Sequence, residues 1–581
     1  MKLNKRGDFG MGMFIGLLAL YVTFQMTFIN VDTPSSLTYG AGTYCDEGYK
    51  TLSARNMVLF GETHWTELDE YAGWVKGSPV TVYFNYVMFE IFGVSLATAR
   101  AGNVLFAVGC LIVFYLILKK IYDRKHALLG VVLLGVNQVF FFYSRIALFE
   151  FKMMFFVLLG LYVMLFVREH QFFIIPMIGS WIAAYYSKAS VEMFYITLVV
   201  YFSLMYKNGA GLNLMLKKRN LWILAFLLII GLGVLQFFFV FQREAYDSVS
   251  LFGRGYRSPA GAAVFWVGQE FFTKNAVLIF LGVIYAGYVI VQLMEQKGYN
   301  KYDVLFLVWF VLGTGMFALV SFVQLGYYIY VIFPLIALAV RGILLFGPIM
   351  KTLFEEGYAG LKFVVVLLAV YLLIVHTSFL SFWPIRSEYG WEAQAVKYFG
   401  LMSTVIVCFV TVGFVVLRRN EKYVSGVFKL SKRKYVSVFV TLILLSNLVP
   451  IASWAVRPKY ELKEISQKLD GFKDGSIFIG DWAPQLVIDT PHRVLYTMTS
   501  KDLKASRNFH NLGEIKPDYL VIVDRLNDHM LEHFRMEYPG VSATSPHSSY
   551  TYAGKKILLY ELDFNALEAN YIVEKMGRSK Q

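Results

Sequence analysis

The sequence predicts a polytopic α-helical membrane protein carrying a small α/β domain at its C-terminal end, and three observations predict it. Of 581 residues, 57% are hydrophobic and 16% charged, with a mean hydropathy of +0.54, whereas soluble domains carry about a quarter charged residues. Apolar runs close to the roughly 20 residues that cross a hydrocarbon core of roughly 30 Å recur along the chain. Beyond residue 455 the composition turns polar and the apolar runs become short and β-type.

Apolar windows lie near 13–29, 97–118, 127–143, 148–167, 171–187, 190–206, 220–241, 275–294, 304–321, 325–346, 361–380, 401–417 and 435–454, about thirteen transmembrane helices. The first follows Lys2, Lys5 and Arg6. It exceeds the h-region of a signal peptide and no small-x-small cleavage pattern follows, so it is expected to be a retained span. An odd number of spans puts the termini on opposite sides.

Lys and Arg in short loops set the orientation. With the N-terminus cytoplasmic, the inner segments hold Lys119, Lys120, Arg124 and Lys125, then Lys217, Lys218 and Arg219, then the basic linker Arg418–Lys434. The opposite loops are much poorer in basic residues. The expectation is a multi-pass protein of the plasma (inner) membrane with everything after Pro450 outside.

The outer side then carries the segments 31–97, 242–274 and 381–400 and the tail from Arg457. Within the first, Pro79–Gly93 (PVTVYFNYVMFEIFG) is short for a span and rich in aromatics, which suits a helix lying on or dipping into the interface. A second such segment is expected between Ser258 and Lys274. The chain thus divides into a transmembrane domain, 1–455, and an extracytoplasmic α/β domain, 456–581. The latter shows β-type runs at Ser476–Gly480, Arg493–Met498, Tyr519–Val523 and Lys556–Tyr560, with a helix expected at Asn527–Met536.

A net charge of +14 could suggest nucleic acid, but the basic residues sit in short clusters between apolar runs and read as topology. No nucleic-acid partner is expected; membrane lipids are. Cys110 and Cys408 fall inside apolar runs and Cys45 stands alone in a polar segment, so no disulfide framework or CxxC metal site is available.

Chemistry concentrates on the outer side. Asp46-Glu47 (TYCDEGYK) is an acidic pair in the first outer loop. Ser144-Arg145 and Glu150 (SRIALFE) lie where the third span emerges and the fourth begins, at a depth where an unpaired charge costs on the order of a few kcal/mol. Lys188 (YYSKAS) sits at the next outer hairpin. Further outer segments add Arg243 and Glu244, then Arg254, Tyr256 and Arg257, then Gln324, Tyr327 and Tyr328. Acids and bases at one membrane level, at the mouths of separate helices, point to an outward-facing polar cavity.

Cations over such a cavity suit a phosphate anchored by a prenyl tail, Arg offering a planar fork and Lys a point charge. One buried carboxylate suits deprotonation of an acceptor hydroxyl. A polyprenyl phosphate leaves readily, so charge stabilisation can replace the general acid that glycoside hydrolysis needs. The combination describes sugar transfer from a lipid-phosphate donor. A transporter or flippase for a lipid-linked glycan is the alternative, although repeated halves and midplane binding groups on broken helices are not seen.

The acidic DE pair after the first span, the Pro-containing segment leading into an FG-containing helix (KGSPVTVYFNYVMFEIFGVSLATAR), and SR-x-x-x-x-E at the third hairpin resemble the GT-C membrane glycosyltransferases. The similarity runs through about residues 13–345 and looks closest to the branch with protein O-mannosyltransferases and the lipid A aminoarabinose transferase. The resemblance implies a GT-C-like transmembrane domain and a polyprenyl-phosphate sugar donor. It also implies inverting transfer of a hexosyl or pentosyl unit to a protein, lipid or glycan acceptor.

By the same resemblance Asp46 is the catalytic base, Glu47 and Tyr49 support its segment, and Glu150 takes the second acidic position. Lys76 or Lys188 with Arg145 would serve the donor phosphate. Three positions depart from the pattern. Gly48 stands where relatives can carry a basic residue, Glu150 where Asp is more usual, and Tyr327-Tyr328 where an Arg-Tyr pair is common. Phosphate binding would then fall to Arg243, Arg254 or Arg257, and Gln324, Tyr327 and Tyr328 would line the substrate site. Asp46, Glu47 and Glu150 could hold a divalent cation, with His64 in the same loop, but no metal site is assigned.

Overall fold

A computed structural model describes residues 5–34, 41–63, 78–167, 169–207, 270–295, 299–320, 325–349, 432–480, 482–495, 516–523, 546–552 and 555–562. The chain forms two compact units. One comprises Met1–Thr27, Val104–Ser144 and Glu150–Arg457, the other Phe28–Asn103, Arg145–Phe149 and Pro458–Gln581.

The first unit is helical, built on Lys5–Thr27, the larger part of Leu96–Ile121, Arg124–Val136, Glu150–Met164, Ile174–Ser187, Glu192–Lys207, Ala276–Met294, Lys301–Leu319, Ile329–Leu344 and Lys432–Val456. Six described helical segments are long and apolar enough to cross a membrane. Ile15, Leu20, Leu105, Val199 and Val311 project from the helices fully or half exposed, as lipid-facing side chains do. The chain is a multi-pass helical membrane protein. Three expected spans, 220–241, 361–380 and 401–417, lie outside the described residues, as does the expected helix Asn527–Met536.

Polar residues inside apolar runs explain local departures from uniform spans. The expected span 127–143 breaks at Asn137, which ends Arg124–Val136. Its side-chain oxygen accepts from the backbone N–H of Val139 at 3.1 Å and Phe140 at 3.3 Å, restarting the chain as the short helix Gln138–Tyr143. Its amide donates to Asn275 Oδ1 at 2.6 Å, so the buried pair satisfies itself. Helices Ala276–Met294 and Ile329–Leu344 approach closely at Gly342, where a Cβ would stand 2.4 Å from the Leu281 carbonyl oxygen.

The second unit joins helices Ala41–Phe60 and Pro79–Phe92 to a five-stranded sheet. Its strands are β1 (Ile477–Ile479), β2 (Arg493–Leu495), β3 (Tyr519–Val523), β4 (Ser548–Tyr552) and β5 (Lys555–Glu561), in the order β2-β1-β3-β5-β4. β1 pairs in parallel with β2 and β3, while β5 runs antiparallel to β3 and β4. Helix Glu461–Asp470 contributes Leu462, Ile465 and Leu469 to a core with Phe478, Trp482, Leu486 and Val521. Leu52 and Leu96 belong to the same core, so the acidic-pair helix and the tail fold around shared apolar side chains. Each such leucine contributes on the order of 2 kcal/mol of burial.

Pro79–Phe92 is a helix, as its sequence predicts, with a proline in its first turn. Val82, Asn85 and Phe89 are buried, and Tyr83, Val87, Ile91 and Phe92 form an exposed apolar side. Such a two-sided helix suits a lipid interface.

Candidate active site

The acidic pair lies on a helix, Ala41–Phe60, and the expectation of a loop is corrected. Locally TYCDEGYK is a poor helix signal. Tertiary packing of Leu52, Ala54 and Met57 supplies what propensity does not. The helix puts Asp46 and Lys50 one turn apart, and Lys50 Nζ stands 3.1 Å from Asp46 Oδ2, both side chains buried. The same ammonium lies 5.5 Å from the Phe149 ring centre.

Glu47, one residue on, is enclosed by donors. Arg100 forks onto it, Nε to Oε1 at 2.9 Å and Nη2 to Oε2 at 2.7 Å. The Ala147 N–H donates to Oε1 at 2.9 Å and the Gln485 amide to Oε2 at 3.4 Å. Arg100 Nη1 donates in turn to the carbonyls of Ile29 at 3.0 Å and Val31 at 3.1 Å. Arg145 Nη2 donates to the same two carbonyls. Two guanidiniums therefore share one pair of backbone oxygens beside a single carboxylate. Burial, with the like charge of Arg100, holds the Arg145 guanidinium well below its usual value, and Glu47 and Asp32 oppose that shift.

Asp32 ties this cluster to the tail. Its N–H donates to Lys459 O at 2.8 Å and its Oδ2 accepts from the Glu461 N–H at 2.7 Å. Burial pushes its carboxyl up to about 7, with Arg100 and backbone donors pulling the other way.

In the first unit the structure brings together Glu150, Lys188 and Tyr327. Glu150 opens Glu150–Met164, and Lys188 caps the C-terminal end of Ile174–Ser187, the helix packed along it. Lys188 Nζ pairs with Glu150 Oε1, both buried, and lies 4.1 Å from the Tyr327 ring centre. Glu150, Met153, Ser190, Tyr327 and Tyr330 line a cleft there. Tyr328 instead stacks on Phe271 at 4.3 Å within the aromatic core. Lys152, on the same helix as Glu150, is fully buried, 5.8 Å from the Phe106 ring centre.

Of the other sequence-derived candidates, Lys76, Arg243, Arg254, Arg257 and Gln324 lie outside the described residues. So do His64 and the side chain of Tyr49. Among the described residues no group of three or more His, Cys, Asp or Glu side chains is arranged to hold a metal ion. Sequence reasoning missed Lys50, Arg100, Lys152 and Gln485. Arg100 was detectable as a lone cation in an apolar run, which demands a partner.

Residues 76–237 match the family described as dolichyl-phosphate-mannose-protein mannosyltransferase. Dolichyl-phosphooligosaccharide-protein glycotransferase 2 of Pyrococcus furiosus is 27% identical over 321 residues, a match covering 50% of this chain and 39% of that protein. The chain thus spans less than half the length of this curated relative. The crystal structure of ArnT from Cupriavidus metallidurans bound to undecaprenyl phosphate is similar with a TM-score of 0.51 at 14% identity, covering 94% of this chain and 97% of that one. The apo Archaeoglobus fulgidus oligosaccharyltransferase gives a TM-score of 0.43 at 12% identity over 88% and 69% of the two chains. In fold, and in the matched segment 76–237, the chain resembles the GT-C membrane glycosyltransferases of the protein O-mannosyltransferase and lipid A aminoarabinose transferase branch.

Proposed function

We propose that the chain is a membrane glycosyltransferase. In this reading it moves a hexosyl or pentosyl unit from a polyprenyl-phosphate donor to a protein, lipid or glycan acceptor at the outer face, with inversion. The observation that carries it is the division of labour in the acidic pair. Glu47 is taken up on both oxygens by a guanidinium fork, a main-chain N–H and an amide, which suits an anchor. Asp46, buried beside the Lys50 countercharge, suits the base.

In this reading Asp46 takes the proton of the acceptor hydroxyl as its oxygen bonds to the anomeric carbon and the carbon–oxygen bond to phosphate breaks. The bond pair leaves with the polyprenyl phosphate. Lys188 and Arg145 stabilise the charge that collects there, with Lys76, Arg243, Arg254 and Arg257 as further candidate donors. Glu150 holds Lys188 in place until the donor binds, and Tyr327 offers the sugar an aromatic face. Tyr49 and Gln324 complete the proposed substrate contacts, while Tyr328, buried in the aromatic core, has no place among them.

The test is transfer itself. Membranes containing the chain, given polyprenyl-phosphate sugars one at a time and analysed by mass spectrometry, should yield a glycosylated acceptor and free polyprenyl phosphate. Passage of intact donor across the membrane with no cleavage would favour a flippase and overturn the reading.

A further inference from the structure

The chain between β1 and β2 carries hydrogen bonds from the tail to the acidic-pair helix. β1 pairs in parallel with β2 on one side and β3 on the other, so the winding changes direction at β1. In open α/β sheets the crevice beyond the carboxyl ends at such a point is where ligands are held. Here the chain leaving that end of β1 forms the short helix Ala483–Leu486 and packs on Ala41–Phe60.

Gln485 is fully buried in that contact. Its Oε1 accepts from the Gly48 N–H at 2.6 Å and its Nε2 donates to Glu47 Oε2 at 3.4 Å. A neutral amide offers an acceptor to one neighbour and a donor to the next. The approach is so close that a Cβ on Gly48 would stand 2.2 Å from Gln485 N, so glycine alone fits there. The chain that follows Gln485 is fastened as well. Arg55 Nη2 donates to the carbonyls of Thr490 and His492 at 2.6 Å each, and Asp489 Oδ1 accepts from the Leu96 N–H at 2.6 Å.

We infer that Gln485 is a positioning residue for the acidic pair, so that the C-terminal segment forms part of the reaction machinery. The inference rests on the reading of Asp46 as base. It acts through geometry: Gln485 fixes Glu47 and Gly48, and these fix the adjoining Asp46.

The experiment compares Gln485→Met, Gln485→Glu and Asp46→Asn in the full chain, with folding checked by abundance and unfolding temperature. Gln485→Met keeps the bulk and loses both hydrogen bonds; kcat should fall about 10- to 100-fold, as for a displaced catalytic group, with the donor KM little changed. Gln485→Glu adds a negative charge beside Glu47, and the acid limb of the kcat/KM profile should move up by about one pH unit. A purely structural glutamine would lower the folded fraction in Gln485→Met without lowering kcat of the protein that remains folded. If Asp46→Asn is inactive while folded Gln485→Glu keeps the wild-type rate and profile, the positioning role is overturned and the base assignment stands, even if Gln485→Met fails to fold. Activity in Asp46→Asn overturns both.

Discussion

The two charged clusters are built differently. Around Glu47 in the second unit, donors from three segments converge on one carboxylate, and two arginines rest on the same main-chain carbonyls. At Glu150 in the first unit, Lys188 faces the carboxylate beside an aromatic ring and a cleft. The first arrangement fixes backbone geometry. The second pairs a cation with a carboxylate beside a cleft, and in the proposed function an incoming phosphate claims that cation. Carboxylates in the two clusters therefore serve different ends, one holding the frame and the other holding a lysine.

That contrast is open to breakage in order of expected effect. Arg100→Met should be the most damaging, because it strands a buried carboxylate; a loss of about 3–5 kcal/mol is expected, read as lost folded protein in detergent. Combining it with Glu47→Leu should restore part of that loss. Gly48→Ala forces a methyl into the Gln485 backbone and should cost about 1–3 kcal/mol, measured by the unfolding temperature. If Gly48→Ala is neutral, the close approach of the tail is wrong.

Lys188→Ala should raise the donor KM on the order of tenfold or more, the worth of a charged hydrogen bond, and leave acceptor affinity alone. A change confined to acceptor KM would contradict the phosphate role. The smallest effect concerns Asp32. Folding raises its pKa, so its stabilising contribution is full below its ordinary value of 3.8 and is lost as pH rises through about 7. The unfolding temperature should be higher at pH 5 than at pH 8, and Asp32→Asn should flatten that difference.

Much of the framework was legible in the sequence, for physical reasons. β3 falls on Tyr519–Val523 as its apolar run predicts, and β1 and β5 fall within a residue of their expected ends. β4 was invisible because SSYTY is a polar edge strand with no apolar run. Asp46-Glu47 drew attention as an acidic pair, but its helix did not, since packing by residues more than four hundred positions away stabilises it. The same holds for Gln485, whose partners only the fold supplies. Lys50 becomes visible once helical spacing is granted. Glu150 and Lys188 were each legible as charges at hairpins of apolar helices, and the structure joins them in one pair.

The most direct measurement sets Asp46→Asn against Glu47→Gln in one transfer assay with a polyprenyl-phosphate sugar. Asp46→Asn is expected to fold at normal abundance and transfer nothing. Glu47→Gln is expected to lose stability while the protein that remains folded keeps measurable transfer. Wild-type transfer by folded Asp46→Asn would contradict the account.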